Sequence, residues 1–401
     1  MKVRFSLTLA SIGLLSVLGI LSCGGGGKSP TAPTSLSPVP GASSSGASSG
    51  GSGSIGPGPY RLFLMKDKET GSTWNVKGEA IDGPLKGKTL DQVPAHNAMW
   101  FAWLAFWGNT EVYGSAQKGD GQDFRNTVQF PQDKILSGGP PPDGIPALTD
   151  PTVVSASQAS WGDEEIVSGV VVGVEARAYP QNIGWWHEIV NDRVGGHPIC
   201  FTFCPLTGTG LVFDGDGTRQ GPGGDRITMG VSGLLFNTNL IMYDRRDRQT
   251  LYPQMIYTSI NGSPQDLRLL PVVETTWGLW KQLYPRTTVV SAQTGHPRNY
   301  GVYPYGSYRE DGDIFFPLAQ DVNKNALAKL YHPKEVVLGL MGINGTPRAY
   351  PFKAMGERAA LNEALDGRAI LIVWYKEGLP AIPYNRTMDG RDLTFEVVNP
   401  S

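Results

Sequence analysis

Three cysteines are all that the 401 residues hold, at positions 23, 200 and 204. That is too few for a disulfide-stapled scaffold. Histidine is scarce too, at five. The charge balance is near neutral, at −2 formally, with 34 Lys and Arg against 36 Asp and Glu. No basic patch or stripe stands out, so nucleic acid is not an expected partner. The chain has no phosphate loop, no dinucleotide fingerprint, no Gly-x-Ser-x-Gly elbow and no His-Glu-x-x-His pair. Those absences remove the commonest signatures of nucleotide chemistry, serine hydrolysis and zinc proteolysis. Patterns for long helices are missing as well.

One apolar run is present, at Ser6 to Leu21, preceded by Lys2 and Arg4. It is too short and too promptly ended to favour a permanent span. Ile20-Leu21-Ser22-Cys23 follows and resembles the lipobox of bacterial lipoproteins. Residues 1–23 therefore read as a lipoprotein signal peptide ending at a lipidated Cys23. Residues 24–58 are almost entirely Gly, Ser, Pro, Ala and Thr, the composition of a disordered tether. The expectation is an exported protein anchored to a membrane through its lipid. Gly24 after the Cys points weakly to an outer membrane or periplasm, with the cell surface as the other setting.

The rest is long enough for two ordinary domains or one large one, and it echoes itself. Arg177-Ala178-Tyr179-Pro180 recurs as Arg348-Ala349-Tyr350-Pro351, 171 positions on. Asn191, Gly196 and Ile199 answer Asn362, Gly367 and Ile370 at the same spacing. A second echo has a spacing of 177: Asp67, Trp100, Trp103 and Thr110 answer Asp244, Trp277, Trp280 and Thr287. The order is B–A–B–A, where B is the Trp-containing segment and A the Arg-Ala-Tyr-Pro segment. Two tandem units are expected, 59–215 and 216–401, packed as one large domain or as two similar ones. Ile166 to Tyr179 is rich in Val and reads as strand, turn, strand. Asn182 to Val190 suits a short helix, Gly195-Gly196 breaks the chain, and Pro198 to Phe203 reads as a strand. Trp277 and Trp280 lie three apart on one helical face. The expected class is α+β, weighted toward β.

The copies differ where chemistry would sit, because His187 faces Arg358 and Cys204 faces Tyr375. Along the strand ending at Cys204, Cys200, Thr202 and Cys204 should share one face, and Ile199, Phe201 and Phe203 the other. Four residues of strand span roughly 13 Å, too far for Cys200 to bridge Cys204. A free thiol at the edge of a Gly-rich turn, paired with His187, suggests two chemistries. It could bind a transition metal, or His187 could activate Cys204 as a nucleophile. Glu188 points elsewhere on a helix and is set aside. His296 could add a ligand across the two units, and Arg298 could hold an anion or lower the thiol pKa. Arg177, Thr207 and Thr209 complete the candidate anion- or substrate-binding set. His96 and His332 have no companions and read as surface or structural residues.

Three blocks carry a family resemblance: Arg177-Ala178-Tyr179-Pro180, Trp186 to Asp192, and Cys204-Pro205-Leu206-Thr207-Gly208-Thr209. With Gly230 to Leu235, Met242 to Arg245 and Thr294 to Tyr300, they resemble the signature of domain of unknown function family 3179, over about 140–355. The resemblance implies no activity. The family pattern is similar to Cys-Pro-Leu-Cys-Gly-Thr, and Thr207 stands here where the second Cys is expected. That departure argues against dithiol redox cycling and a two-thiolate site. The leading expectation is a lipoprotein with one Cys204/His187 centre binding copper or zinc. A cysteine-nucleophile enzyme acting on a small or cell-envelope substrate, and a non-catalytic binding or scaffold lipoprotein, are the alternatives.

Overall fold

The structure is a computed structural model, and it describes residues 60–127, 129–216, 226–261 and 265–398. The leader 1–23 with Cys23 and the tether 24–58 lie outside the described residues. Ser52–Ser401 forms one compact unit. Its α-helices, among the described residues, are α1 (Trp100–Phe106), α2 (Gln181–His187) and α3 (Trp277–Leu283), each of seven residues. The rest of the regular structure is strand, in small sheets of five strands or fewer, apart from three single-turn 3₁₀ segments. The chain is mostly β with few helices. No helix among the described residues is long and apolar enough to cross a membrane.

The Val-rich strand Ile166–Val172 returns antiparallel as Glu175–Pro180. β-Branched residues suit the pleated backbone, and Gly173, at φ 60°, supplies the left-handed residue of the two-residue turn. The strand Ile189–Val194 likewise returns as His197–Cys204 through Gly195 and Gly196, at φ 58° and 78°. The helix expected over Asn182–Val190 is α2, which ends at His187. Glu188 ends it by taking φ 56° and ψ −34°, and Ile189 then starts the strand. Along His197–Cys204 the alternation is as expected. Cys200 and Cys204 face the core built around α1, whereas Ile199, Phe201 and Phe203 pack with Tyr179 and Ile183.

Strands from residues 59–215 and 216–401 share sheets. The Ile166–Pro180 hairpin is flanked by Val273–Thr276 and Thr288–Val290, the strands on either side of α3. A second hairpin, Val336–Met341 with Pro347–Pro351, is flanked by His96–Met99 and Glu111–Val112, on either side of α1. The local details match. Trp103 Nε1 donates to Thr110 Oγ1 at 2.8 Å, and Trp280 Nε1 donates to Thr287 Oγ1 at 2.8 Å. Gly339 lies under the Trp103 ring and Gly169 under the Trp280 ring, each so close that a Cβ would collide with it. The strands leading into α1 and α3 meet where Asn97 Nδ2 donates to Glu274 Oε1 at 3.1 Å.

Candidate functional site: two buried motifs and a cleft

Cys204 ends its strand 1% exposed. Its thiol points at the Thr238 carbonyl, 3.7 Å away. Burial, with the neighbouring Glu188 carboxyl adding to it, pushes the thiol up to about 11. Burial also pushes Cys200 up to about 12. Both cysteines are free. A thiol so placed holds almost no thiolate at neutral pH, so it is a poor nucleophile and a poor metal donor.

His187 is fully buried and both its ring nitrogens are engaged. Nδ1 lies 2.7 Å from the Pro146 carbonyl and Nε2 lies 2.7 Å from the Tyr300 hydroxyl. Burial pushes the imidazole down to about 4, against the raising effect of the Pro146 bond. The ring is therefore neutral, donating from Nδ1 and accepting from Tyr300 at Nε2. The Tyr300 hydroxyl is in turn 2.5 Å from Thr294 Oγ1.

The loop carrying His296 and Arg298 does reach this site. The His296 ring centroid is 5.2 Å from that of His187, and Arg298 lies over the Trp186 ring at 5.7 Å. Cys204, however, bonds to none of these groups. Among the described residues no group of three or more His, Cys, Asp or Glu side chains is placed to hold a metal ion. Cys204, His187 and His296 do not fit copper or zinc, because one donor is a buried thiol and another has no free nitrogen.

The remaining expected residues hold the fold. Arg177 is buried, with Nε on Thr288 Oγ1 at 2.7 Å, Nη1 on Asp192 at 2.6 Å and Nη2 on Glu175 at 2.5 Å. No guanidinium face is left for an anion. Asp192 also accepts from the Tyr179 hydroxyl at 2.8 Å, so the Arg-Ala-Tyr-Pro motif is a buried clasp between strands. Thr207 and Thr209 are fully buried. Thr207 Oγ1 accepts from Asn239 at 2.9 Å and Thr209 Oγ1 donates to the Thr207 carbonyl at 3.3 Å. His332 is exposed. His96, expected at the surface or in a structural role, is 3% exposed and has no partner at Nε2 among the described residues.

Of two further acids, the sequence reading set Glu188 aside and missed Glu274. Glu188 is buried, sits in the left-handed region, and is pushed up to about 8 by burial. Residues held in that region cluster at functional or tightly constrained sites. Glu274 lines a cleft of about 250 Å³ between the strands that enter α1 and α3. Burial pushes its carboxyl up to about 7, opposed by hydrogen bonds from Asn97 and Gln181. Trp185 and Tyr303 form an aromatic wall of that cleft. The Arg309 guanidinium lies 4.9 Å and 4.1 Å from their ring centroids. No motif surrounds Glu274 in sequence; only its place opposite Asn97, 177 positions earlier, hinted at it.

The sequence profile of the family described as "Protein of unknown function (DUF3179)" matches residues 37–110 and 142–400. The chain belongs to this family. In this DUF3179 protein the match reaches well beyond the 140–355 window on both sides, taking in α1 and the C-terminal strands. No curated protein and no solved structure matches the chain.

Proposed function

We propose that this DUF3179 protein is an exported, membrane-anchored lipoprotein that binds a small organic molecule in the Glu274 cleft, without covalent chemistry at Cys204. The observation that carries this reading is Glu274 itself. It is an acid poised near neutrality, held by two amides on the wall of an open, mostly apolar cleft. Ligand sites have this composition: an apolar body with a few converging polar groups, often with perturbed pKa values. The Glu274–Asn97–Gln181 end can donate or accept hydrogen bonds. Trp185 and Tyr303 offer flat apolar surface, and Arg309 offers a cation at the mouth. An amphipathic molecule with one hydrogen-bonding end matches that arrangement. The buried thiol and saturated imidazole favour this reading over the metal centre and over the cysteine nucleophile. The lipobox-like Ile20–Cys23 and the Gly/Ser-rich 24–58 support the anchored location.

We also propose that the two halves descend from one duplicated unit. The 171- and 177-residue echoes support it, as do the matched Trp–Thr bonds and the matched Trp–Gly contacts.

Native mass spectrometry of the full-length chain, extracted from its own membranes in mild detergent, tests the binding reading. A small-molecule adduct should be present in wild type and in Cys204→Ser, and lost in Trp185→Ala and Glu274→Leu. The proposal is refuted if all four proteins have the bare-chain mass and none is stabilised by a panel of small aromatic and aliphatic amphiphiles.

A further inference from the structure

On the strand entering α1, His96 and Asn97 point to opposite faces. Asn97 faces the Glu274 cleft, and His96 faces a separate cavity of about 260 Å³. The corresponding place on the strand entering α3 is taken by apolar Val273. The fold can therefore fill that position without a polar group.

Two groups in this cavity lack partners. His96 Nε2 and the Tyr257 hydroxyl are both buried with no hydrogen bond among the described residues, and both residues are 3% exposed. A buried polar group left in this state is destabilising until a partner arrives. Tyr257 also holds φ at 50°, a backbone state that residues with a Cβ rarely adopt.

Arg125 and Arg368 line the same cavity, and no acidic residue does. The Arg125 guanidinium lies over the Tyr257 ring at 5.0 Å. Its one ion-pair partner among the described residues, Asp266, is 3.6 Å away and 63% exposed, so water screens that pair. Arg368 has no ion pair among the described residues. Leu267 and Met341 form part of an apolar wall. Two cations, a phenol O–H and an imidazole nitrogen thus converge beside a greasy surface, and among the described residues the one protein anion paired with them is the exposed Asp266. Guanidinium groups match carboxylates well.

We propose that this cavity is a binding site for a small organic carboxylate. Its carboxylate is held by Arg125, Arg368 and the Tyr257 hydroxyl, with His96 Nε2 as a further donor, and its apolar body lies against Leu267 and Met341. The site is independent of the Glu274 cleft, with which it shares no lining residue.

Calorimetric titration of the full-length chain with sodium benzoate, sodium hexanoate and inorganic phosphate, at fixed ionic strength, tests it. At least one of the two carboxylates should bind one per chain. Arg368→Gln and Tyr257→Phe should weaken binding at least about tenfold. His96→Val should also weaken binding without lowering the melting temperature of the free protein, because it removes an orphaned polar group. Three outcomes overturn the proposal: no carboxylate binding by folded wild type up to about 10 mM, equal affinity in Arg368→Gln and Tyr257→Phe, or phosphate binding as tightly as the carboxylates. Arg368 is half-exposed at the start of its strand, so its variant keeps the test valid if a core variant fails to fold.

Discussion

A thiol attacks or ligates only as its thiolate, and Cys204 has been given surroundings that suppress that form. Apolar neighbours raise its pKa, and the Glu188 carboxyl beside it would repel a second negative charge. Iodoacetamide near pH 7.5 should therefore leave Cys204 and Cys200 unmodified in the native chain over hours, and should label both in guanidinium. Intact-mass spectrometry reads this directly; rapid native labelling of Cys204 would restore the nucleophile reading. After reconstitution with copper or zinc, metal content should be the same in wild type, Cys204→Ser and His187→Ala. The perturbed acids and imidazoles make a second residue-scale prediction. Glu188 and Glu274 have folded pKa values of about 8 and about 7, raised by burial. Their contribution to stability is full below about pH 4.5 and is lost as pH rises through those values, because the folded state keeps a proton that the unfolded chain releases. His187 and His96 are both pushed down to about 4 by burial. Their contribution is full above about pH 6.5 and is lost as pH falls toward 4. Between about 4.5 and 6.5 the opposite slopes offset. Above that window, of these four groups only the two acids act, each costing up to about 1.4 kcal/mol per pH unit. Urea midpoints should fall from pH 6.5 to 8 in wild type, and fall less in Glu188→Gln. An unchanged slope in that variant would mean that Glu188 is ionised in the folded chain.

At the scale of elements, sequence legibility depended on how local the cause was. The Val-rich hairpin at 166–180 and the alternating faces of His197–Cys204 follow from side-chain period and from turn glycines, so they could be read directly. The end of α2 was misjudged because Glu188 carries no Gly or Pro signal; tertiary packing holds its left-handed backbone. His187 drew attention as a reactive group, but its two partners, Pro146 and Tyr300, come from segments far away in sequence. His96 looked solitary for the same reason, since the fold alone brings the Tyr257 ring to it and Arg368 to the same cavity. The paired Trp–Gly contacts also belong to this scale. Gly169 and Gly339 are required because the Trp280 and Trp103 rings lie flat against their α-carbons. Either Gly→Ala change forces an indole out of a packed core, at a cost of about 1–3 kcal/mol or more. Chemical denaturation should show both variants destabilised by similar amounts. Gly87→Ala serves as a strained control, since φ there is 87° but the added methyl meets nothing. Loss in only one of the two core variants would show that the packing of the halves is not equivalent.

For the whole molecule, the pairing of sheets across the two halves governs folding. The 166–180 hairpin obtains both its flanking strands from 273–290, and the 336–351 hairpin obtains both of its own from 96–112. The N- and C-terminal strands Leu64–Asp67 and Phe395–Val398 pair as well. Neither half can complete its sheets alone, and each would leave open hairpin edges and unburied indoles. The sequence echo suggested two units, but it could not say which segment pairs with which, because both members of each echoed pair satisfy the same local pattern. Long-range pairing of this kind also slows folding, since loop closure must precede the contacts that stabilise it. A chain ending at residue 215 and a chain starting at residue 216 should each be largely unfolded when made separately, with little near-ultraviolet dichroism and no cooperative thermal transition. Made together, they should associate one to one and regain both. A first half that melts cooperatively by itself would mean that the B segment preceding each hairpin can pair with it directly, in place of its counterpart from the other half.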